Sequence, residues 1–533
     1  MRSRRRTSCR TTPLRRTSWR CTRRRIGTGG IDRGVDVKPG ISGRPNIVLI
    51  FSCSHNARFM GCAGDGVVQT PHLDALAGEG VRFTDVHCTF PMTVPSRMGF
   101  LTSQYADDIE AWEVGSVLAP DVPTFAHLLG AAGYETVLCG KMHFQGTDQF
   151  HGFEKRLVGD PLKALSPEIE GAGGNRTTAQ VKYAVQVSGH GKTGFQAFDQ
   201  AVTEKTCEFI SAHRATDRPY CLVSSLILPR NPLICSKDLF DHYRDRIPPP
   251  APMSKAYLDR LHPAMIKWRE RRGVFDLTPE QNRRGLAAYY GLVTELDRNV
   301  GRIVDGVRSS PEAEDTVIVY CADLGDMACE HGLWWKSNFY NGTVRVPLIV
   351  SWPGRFAPGR VVDAVASLVD VGPTLLDIAG AGPMPDVPGR SLAGFLKGEE
   401  VADWPDEVFS EFNGLLGDQP SCMIRSGPWK LTYYHEFRSY QLFNLKEDPE
   451  EMRDRRDDPA CREVAGGLLE KIHRRWSAER MLEGIARKQR ARRTVAGCGH
   501  PLIPHAVTHF TAPEGSNAFD FGQIEKRHDP QQM

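Results

Sequence analysis

No stretch of this chain approaches the ~18 consecutive apolar residues that a membrane-spanning helix needs. The run Ile47-Val-Leu-Ile-Phe51 is only strand-length, so no membrane partner is expected. No apolar stretch of roughly 7–15 residues follows the N-terminal arginines, which argues against a secretory signal. The 14 cysteines include no Cys-x-x-Cys pair, so neither a zinc cluster nor a disulfide framework is expected. Cys53, Cys139, Cys221 and Cys321 sit in or beside apolar runs, as small buried hydrophobes do. A reducing, cytoplasmic setting is the expected compartment. Acidic residues are nearly missing from residues 1–43, which hold 13 Lys/Arg against Asp32 and Asp36 alone. That segment is net +11 in a chain of +3, which leaves about −8 for the rest. It has no apolar periodicity with which to bury a face, so a disordered basic extension, or translation from an upstream start codon, is the expectation. A nucleic-acid-binding arm and an organelle transit peptide share its composition and rank behind it.

What is present is the composition of a globular protein, with 40% apolar and 25% charged residues over 533 positions. Two to four domains fit that length. Asn46-Ile-Val-Leu-Ile-Phe51 reads as a strand buried on both faces. Thr70 and Pro71 open a helix whose face is Leu73, Leu76 and Ala77, and Gly80 closes it. Val81-Arg-Phe-Thr and Thr136-Val-Leu-Cys139 read as strands. Residues 287–303 read as a long amphipathic helix before the strand Thr316-Val-Ile-Val-Tyr-Cys321. Strands alternating with helices predict a mostly parallel sheet covered on both faces. Polar groups in such sheets gather beyond the carboxyl ends of the strands. Cys53-Ser-His55, Gly140-Lys-Met-His143 and Ala322-Asp-Leu-Gly-Asp326 each follow a predicted strand, so three segments should deliver polar residues to one edge. Residues 156–195 are Gly-rich and weakly patterned, and read as an insertion near that edge.

The stretch Thr93-Val-Pro-Ser-Arg-Met-Gly-Phe-Leu-Thr102 resembles the signature of the sulfatases, Cys/Ser-x-Pro-Ser-Arg-x-x-x-Leu-Thr-Gly. Further blocks are similar in order and spacing. They are Arg44-Pro-Asn-Ile-Val-Leu-Ile, Thr70-Pro-His-Leu-Asp-Ala-Leu-Ala, Gly140-Lys-Met-His143, Glu330-His-Gly-Leu-Trp-Trp-Lys336, Arg345-Val-Pro-Leu-Ile-Val and Leu442-Phe-Asn-Leu-Lys-Glu-Asp-Pro449. The resemblance covers roughly residues 44–480 and lies nearest the choline-sulfatase and phosphonate-monoester-hydrolase side of the family. It implies an α/β, alkaline-phosphatase-like sandwich with a mostly parallel central sheet and a smaller C-terminal α+β subdomain. The implied organisation is a disordered extension over 1–43, a sulfatase-like domain over 44–400, the subdomain over 405–480 and a tail over 481–533.

By the resemblance the activity is hydrolysis of sulfate esters. A divalent cation, usually Ca²⁺, and a formylglycine made from the first signature residue carry it. Matched position by position, Arg97 is the motif Arg that orients the reacting residue, Lys141 and His143 are the Lys-x-His pair near the sulfate, and Lys336 is the second sulfate-binding Lys. His55 falls at a substrate-side position. The remaining positions depart from the family. Thr93 stands at the reacting residue, and its secondary alcohol cannot become an aldehyde. Cys53 replaces a ligand Asp, and Asp323 survives as a remnant ligand beside an apolar Leu324. Arg230 stands where a His is usual and adds a positive charge on the substrate side. Hard oxygen ligands suit Ca²⁺, whereas a Cys thiolate prefers softer metals, so a Zn²⁺ site on Cys53 is the remaining metal alternative. Neither Ca²⁺ nor formylglycine is expected. The expected partner is a small oxyanion or a sulfate or phosphate ester, held without turnover. The alternative is an active ester hydrolase with Thr93 as direct nucleophile. A nucleic-acid partner is not expected, and a homo-oligomer is left open.

Overall fold

The computed structural model describes residues 43–161, 178–214, 218–250, 252–414, 417, 419–497 and 510–519. The basic segment, most of the Gly-rich insertion and most of the tail lie outside these residues. The strands in chain order are β1 (Asn46–Cys53), β2 (Val81–His87), β3 (Glu135–Gly140), β4 (Lys155–Val158), β5 (Gly189–Lys192), β6 (Tyr220–Pro229), β7 (Ile234–Cys235) and β8 (Thr316–Ala322). They continue with β9 (Arg345–Ser351), β10 (Arg360–Val362), β11 (Ala366–Ser367), β12 (Glu407–Phe412), β13 (Ser421–Ser426), β14 (Trp429–Tyr434), β15 (Ser439–Asn444) and β16 (Ala518–Phe519).

Nine of these strands form one sheet in the order β10-β2-β9-β8-β1-β6-β3-β4, with β11 also paired to β2. β1 runs parallel to both β6 and β8, and β3 runs parallel to β6 and β4. β9 alone runs against its two neighbours. The β1 sequence explains why it is central: all eight residues are buried. Ile47, Leu49 and Phe51 enter one apolar layer, while Val48 and Ile50 enter the other. This is the period-2 alternation of a strand covered on both sides. The helix Thr93–Thr102 contributes Val94, Met98, Phe100 and Leu101 to the first layer. The helix Pro279–Arg308 contributes Leu292, Val293, Leu296, Val300 and Ile303 to the second.

β12 to β15 form an antiparallel meander. Ile424, Leu431 and Leu442 belong to the same apolar cluster as Ile47 and Leu49, so the small sheet shares its core with the large one. Two helices, Arg462–Arg475 and Ala478–Gly497, follow the meander in the chain. The second runs into the segment 481–533 that is expected as a tail. Thr70 stands at the predicted N-cap, but its hydroxyl accepts the Gly61 N–H instead of capping the helix. Asp297 takes over that task from the long helix, accepting the N–H groups of His72 and Leu73.

Candidate active site

β1, β3, β6 and β8 are mutually parallel, so their carboxyl ends share one edge. Cys53, Lys141, Arg230 and Asp323 are the residues at or just past those four ends. The turn after β3 needs a residue without a side chain. Gly140 has φ +105°, and a Cβ there would lie 2.2 Å from the Ser225 carbonyl oxygen. Four non-glycine residues of the edge, Ser54, His143, Trp335 and Ser337, also adopt left-handed backbone. Such outliers gather where a site over-determines the backbone. Trp335 and Ser337 flank Lys336. The Trp335 N–H is held by Asp326 Oδ1 at 2.9 Å, which fixes the turn that presents Lys336.

Arg97 is completely buried and its guanidinium is engaged on every nitrogen. Nε donates to Asp323 Oδ2 at 2.9 Å, Nη1 to Ser225 Oγ at 2.7 Å and to the Lys141 carbonyl, and Nη2 to the Ser52 carbonyl at 3.4 Å. The Phe51 ring lies beneath it, 4.6 Å from the guanidinium carbon. Arg97 is therefore the frame of the cluster, tying the first turn of helix Thr93–Thr102 to β1, β3, β6 and β8. Asp323 is equally buried. Its Oδ1 accepts the Ser54 N–H at 3.0 Å, and its carbonyl accepts Ser96 Oγ at 2.6 Å. Burial pushes the Asp323 carboxyl up, but Arg97, Lys141 and Lys336 outweigh it and hold the group below its ordinary value.

Lys141 donates from Nζ to Cys53 Sγ at 2.9 Å, and both side chains are fully buried. Burial and Asp323 push the Cys53 thiol up, yet Lys141, Lys336 and Arg97 prevail and leave it below the usual thiol value. Burial lowers Lys141 to about 8, with Cys53 opposing and Arg97 and Arg230 assisting. The two groups form a hydrogen-bonded pair in which the neighbouring cations favour the thiolate form of Cys53. Lys336 Nζ donates to Thr93 Oγ1 at 2.6 Å, and burial lowers this amine too. Arg230 assists the lowering of Lys141, Lys336 and His143, which places it among them. Its guanidinium lies 5.5 Å from the Phe195 ring. His143 is held far below the ordinary imidazole value by burial first and then by Lys141, so it is neutral near pH 7. His143 and Arg230 are half-buried and form the solvent side of the cluster.

The structure thus brings together Thr93, Arg97, Lys141, His143, Arg230, Asp323, Lys336 and Cys53. His55 does not join them, a correction to its expected substrate-side position. Its Nε2 meets the Phe59 carbonyl at 3.0 Å and its Nδ1 meets the Tyr320 hydroxyl, which uses both ring nitrogens inside the core. Burial lowers it to about 4, so it stays neutral. Three supporting residues escaped sequence reasoning. Ser225 Oγ links Arg97 to the Lys141 carbonyl. Asp160 accepts the Met142 and His143 N–H groups at 2.7 and 2.8 Å and pairs with Arg156 at 2.6 Å. Asp199 accepts the Ile227 and Leu228 N–H groups at 2.7 and 3.0 Å, ahead of Arg230. The adjacent serines Ser224-Ser225 inside an otherwise apolar strand were the available signal for the first.

A hard dication fits this donor set poorly. Cys53 offers sulfur already bonded to an ammonium group, both Asp323 oxygens accept N–H groups, and the adjacent Leu324 is apolar and buried. No group of three or more His, Cys, Asp or Glu residues suited to a metal occurs among the described residues. Ca²⁺ asks for about six to eight oxygen ligands.

A doubly covered, mostly parallel sheet with a charged cluster at its carboxyl edge is what the sulfatase resemblance implies, and relatives place the chain in the alkaline phosphatase superfamily. A family described as Sulfatase matches residues 45–381, and one described as N-sulphoglucosamine sulphohydrolase, C-terminal, matches residues 329–478. The chain is 32% identical to a choline-sulfatase of Rhizobium meliloti, over 78% of this chain and 83% of that protein. It is 24% identical to an N-acetylglucosamine-6-O-sulfatase of Bacteroides thetaiotaomicron, over 77% of this chain and 82% of that one. Its fold is similar to the phosphonate monoester hydrolase of Agrobacterium radiobacter, with a TM-score of 0.67 at 21% identity, covering 80% of this chain and 95% of that chain. This chain belongs to the sulfatase family.

Proposed function

We propose that this sulfatase-family protein is impaired in turnover and uses its charged edge to hold an oxyanion. The observation that carries the reading is the Lys141 Nζ to Cys53 Sγ contact at 2.9 Å. It engages, as an internal ion pair, a side chain that the family resemblance assigns to a dication. Without the dication, developing charge on a leaving oxygen loses its strongest stabiliser, and electrostatic stabilisation usually contributes more than any other effect in such reactions. Thr93 adds to the deficit, because a secondary alcohol cannot supply the second hydroxyl that lets an aldehyde hydrate expel sulfate. Lys336, Arg230 and the N–H groups at the start of helix Thr93–Thr102 leave the edge attractive to an anion.

The test is turnover of aryl sulfate and aryl phosphate esters, with and without added Ca²⁺, beside a thermal melt in the same anions. The expected result is no hydrolysis above a Thr93→Ala control, together with a rise in Tm in sulfate or phosphate that exceeds chloride at matched ionic strength. Steady turnover would overturn the reading.

One observation favours a second reading. The 2.6 Å contact between Lys336 Nζ and Thr93 Oγ1, with the amine lowered by burial, has the form of a nucleophile beside its base. Here Thr93 Oγ1 would bond to phosphorus, Lys336 would take its proton, and the alkoxide would leave and draw a proton from water. Water would then cleave the phospho-Thr93 ester. A phosphorylated Thr93 peptide after brief exposure to an aryl phosphate, absent in Lys336→Met, would establish it.

A further inference from the structure

The charges of the edge group in a way that bears on which anion it holds, given the anion-holding reading above. Arg97 and Asp323 are in direct contact at 2.9 Å and cancel. Lys141 and Cys53 are in contact at 2.9 Å and also cancel. Where the pair holds one proton its sum is zero on either atom, and a fully protonated pair adds one more positive charge to the edge. Arg97 is fully buried and spends four of its five N–H groups on protein oxygens, so its main role is to hold the protein groups around it.

Lys336 and Arg230 remain. Lys336 meets the uncharged Thr93 hydroxyl, and Arg230 lies against the Phe195 ring. Neither is within ion-pair distance of a carboxylate among the described residues. The carboxylates of the next layer are turned away onto backbone N–H groups. Asp326 faces Ala328 and Trp335, and burial raises it to about 6. Asp199 faces Ile227 and Leu228, and burial raises it to about 7. His143, on the open side, is neutral and supplies a polar nitrogen without charge. Two formal positive charges therefore converge with no anion in contact.

We infer that this edge is matched to a tetrahedral dianion, such as inorganic sulfate, hydrogen phosphate or the dianion of a phosphate monoester, in preference to the monoanion of a sulfate ester. A sulfate monoester carries one negative charge and leaves one of the two cations uncompensated. A dianion compensates both. Between charges a few ångströms apart in a partly buried site, one extra unit of charge exceeds the thermal energy several-fold even after screening.

The experiment is calorimetric titration of the full chain with phenyl phosphate and phenyl sulfate at about pH 8 and constant ionic strength. The two probes share size and shape and differ in charge, since only the phosphate is a dianion there. Phenyl phosphate is expected to bind tighter by about tenfold or more. Inorganic sulfate should compete with it, whereas a free phenol should not. Arg230→Gln, on the half-buried side where folding is least at risk, should bring the affinity ratio towards one. Lys336→Met should do the same, and the parent ratio alone decides the matter if either variant folds poorly. Equal affinity for the two esters would overturn this inference while leaving an anion-holding site. Failure of both probes and of inorganic sulfate to bind at millimolar concentration would instead overturn the reading on which it rests.

Discussion

Asp323, at the carboxyl edge of the large sheet, and Glu411, on β12 of the small sheet, are both completely buried. Burial pushes each carboxyl up. At Asp323, three cations, Arg97 first, reverse the effect and the group lies below its ordinary value. At Glu411 burial is reinforced by a second acid, Asp107, and the group is pushed up to about 8, with Arg475 and the Asp107 N–H opposing. Glu411 Oε2 accepts the Asp107 N–H at 2.8 Å, while Glu411 Oε1 and Asp107 Oδ1 have no hydrogen-bond partner. The same desolvation thus yields a charged acid in one place and a protonated acid in the other. Neighbours, not depth, decide the state. The small sheet tolerates its acid by keeping it neutral, whereas the edge keeps its charges by pairing them.

Breaking the pairing should have the largest effect. Arg97→Met leaves Asp323 buried without its main partner and should cost about 3–5 kcal/mol, the range for one-sided removal from a buried pair. Denaturant unfolding reads this directly, and a loss under about 1 kcal/mol would show that Asp323 is not held as a charge.

The opposite region gives the opposite sign. Glu411 has a folded value near 8, raised above that of an unfolded glutamate. Its contribution is fully present below the unfolded value and is lost as pH rises through about 8. Glu411→Gln should therefore change little near pH 5 and stabilise the protein above pH 8 by roughly 2–4 kcal/mol. A pH-independent difference between parent and variant would contradict the assignment.

Smaller effects should come from support and from proton position. Asp160→Asn retains one acceptor but loses the charge that binds the Met142–His143 turn and Arg156, for a cost of about 1–2 kcal/mol. Lys141→Met should barely alter folding but should move the ultraviolet thiolate absorbance of Cys53 to higher pH, with Cys53→Ser as the blank. An unmoved onset would mean that the ammonium group does not hold the thiolate.

Much of this was legible in the sequence, and for a physical reason. β1, β3 and β8 are apolar runs ending in polar residues, so the strand ends and the convergence of Cys53, Lys141 and Asp323 follow from local pattern. Arg97 was legible through its motif. His55 was not, because its partners Tyr320 and Phe59 come from tertiary packing that a local Ser-x-His pattern cannot register. The capping of His72 and Leu73 by Asp297 was hidden for the same reason. Asp160 and Asp199 are single acids in segments without strong periodicity, and only the folded chain shows the N–H groups they accept.

The Lys141–Cys53 pair stands where the family resemblance implies a dication. Calcium titration by calorimetry of the parent chain and of a Cys53→Asp/Leu324→Asn double variant tests it most directly, because the variant returns two oxygen donors beside Asp323. The expected result is no binding heat for the parent at millimolar Ca²⁺ and measurable saturable binding for the double variant. Tight, stoichiometric Ca²⁺ binding by the parent would contradict it.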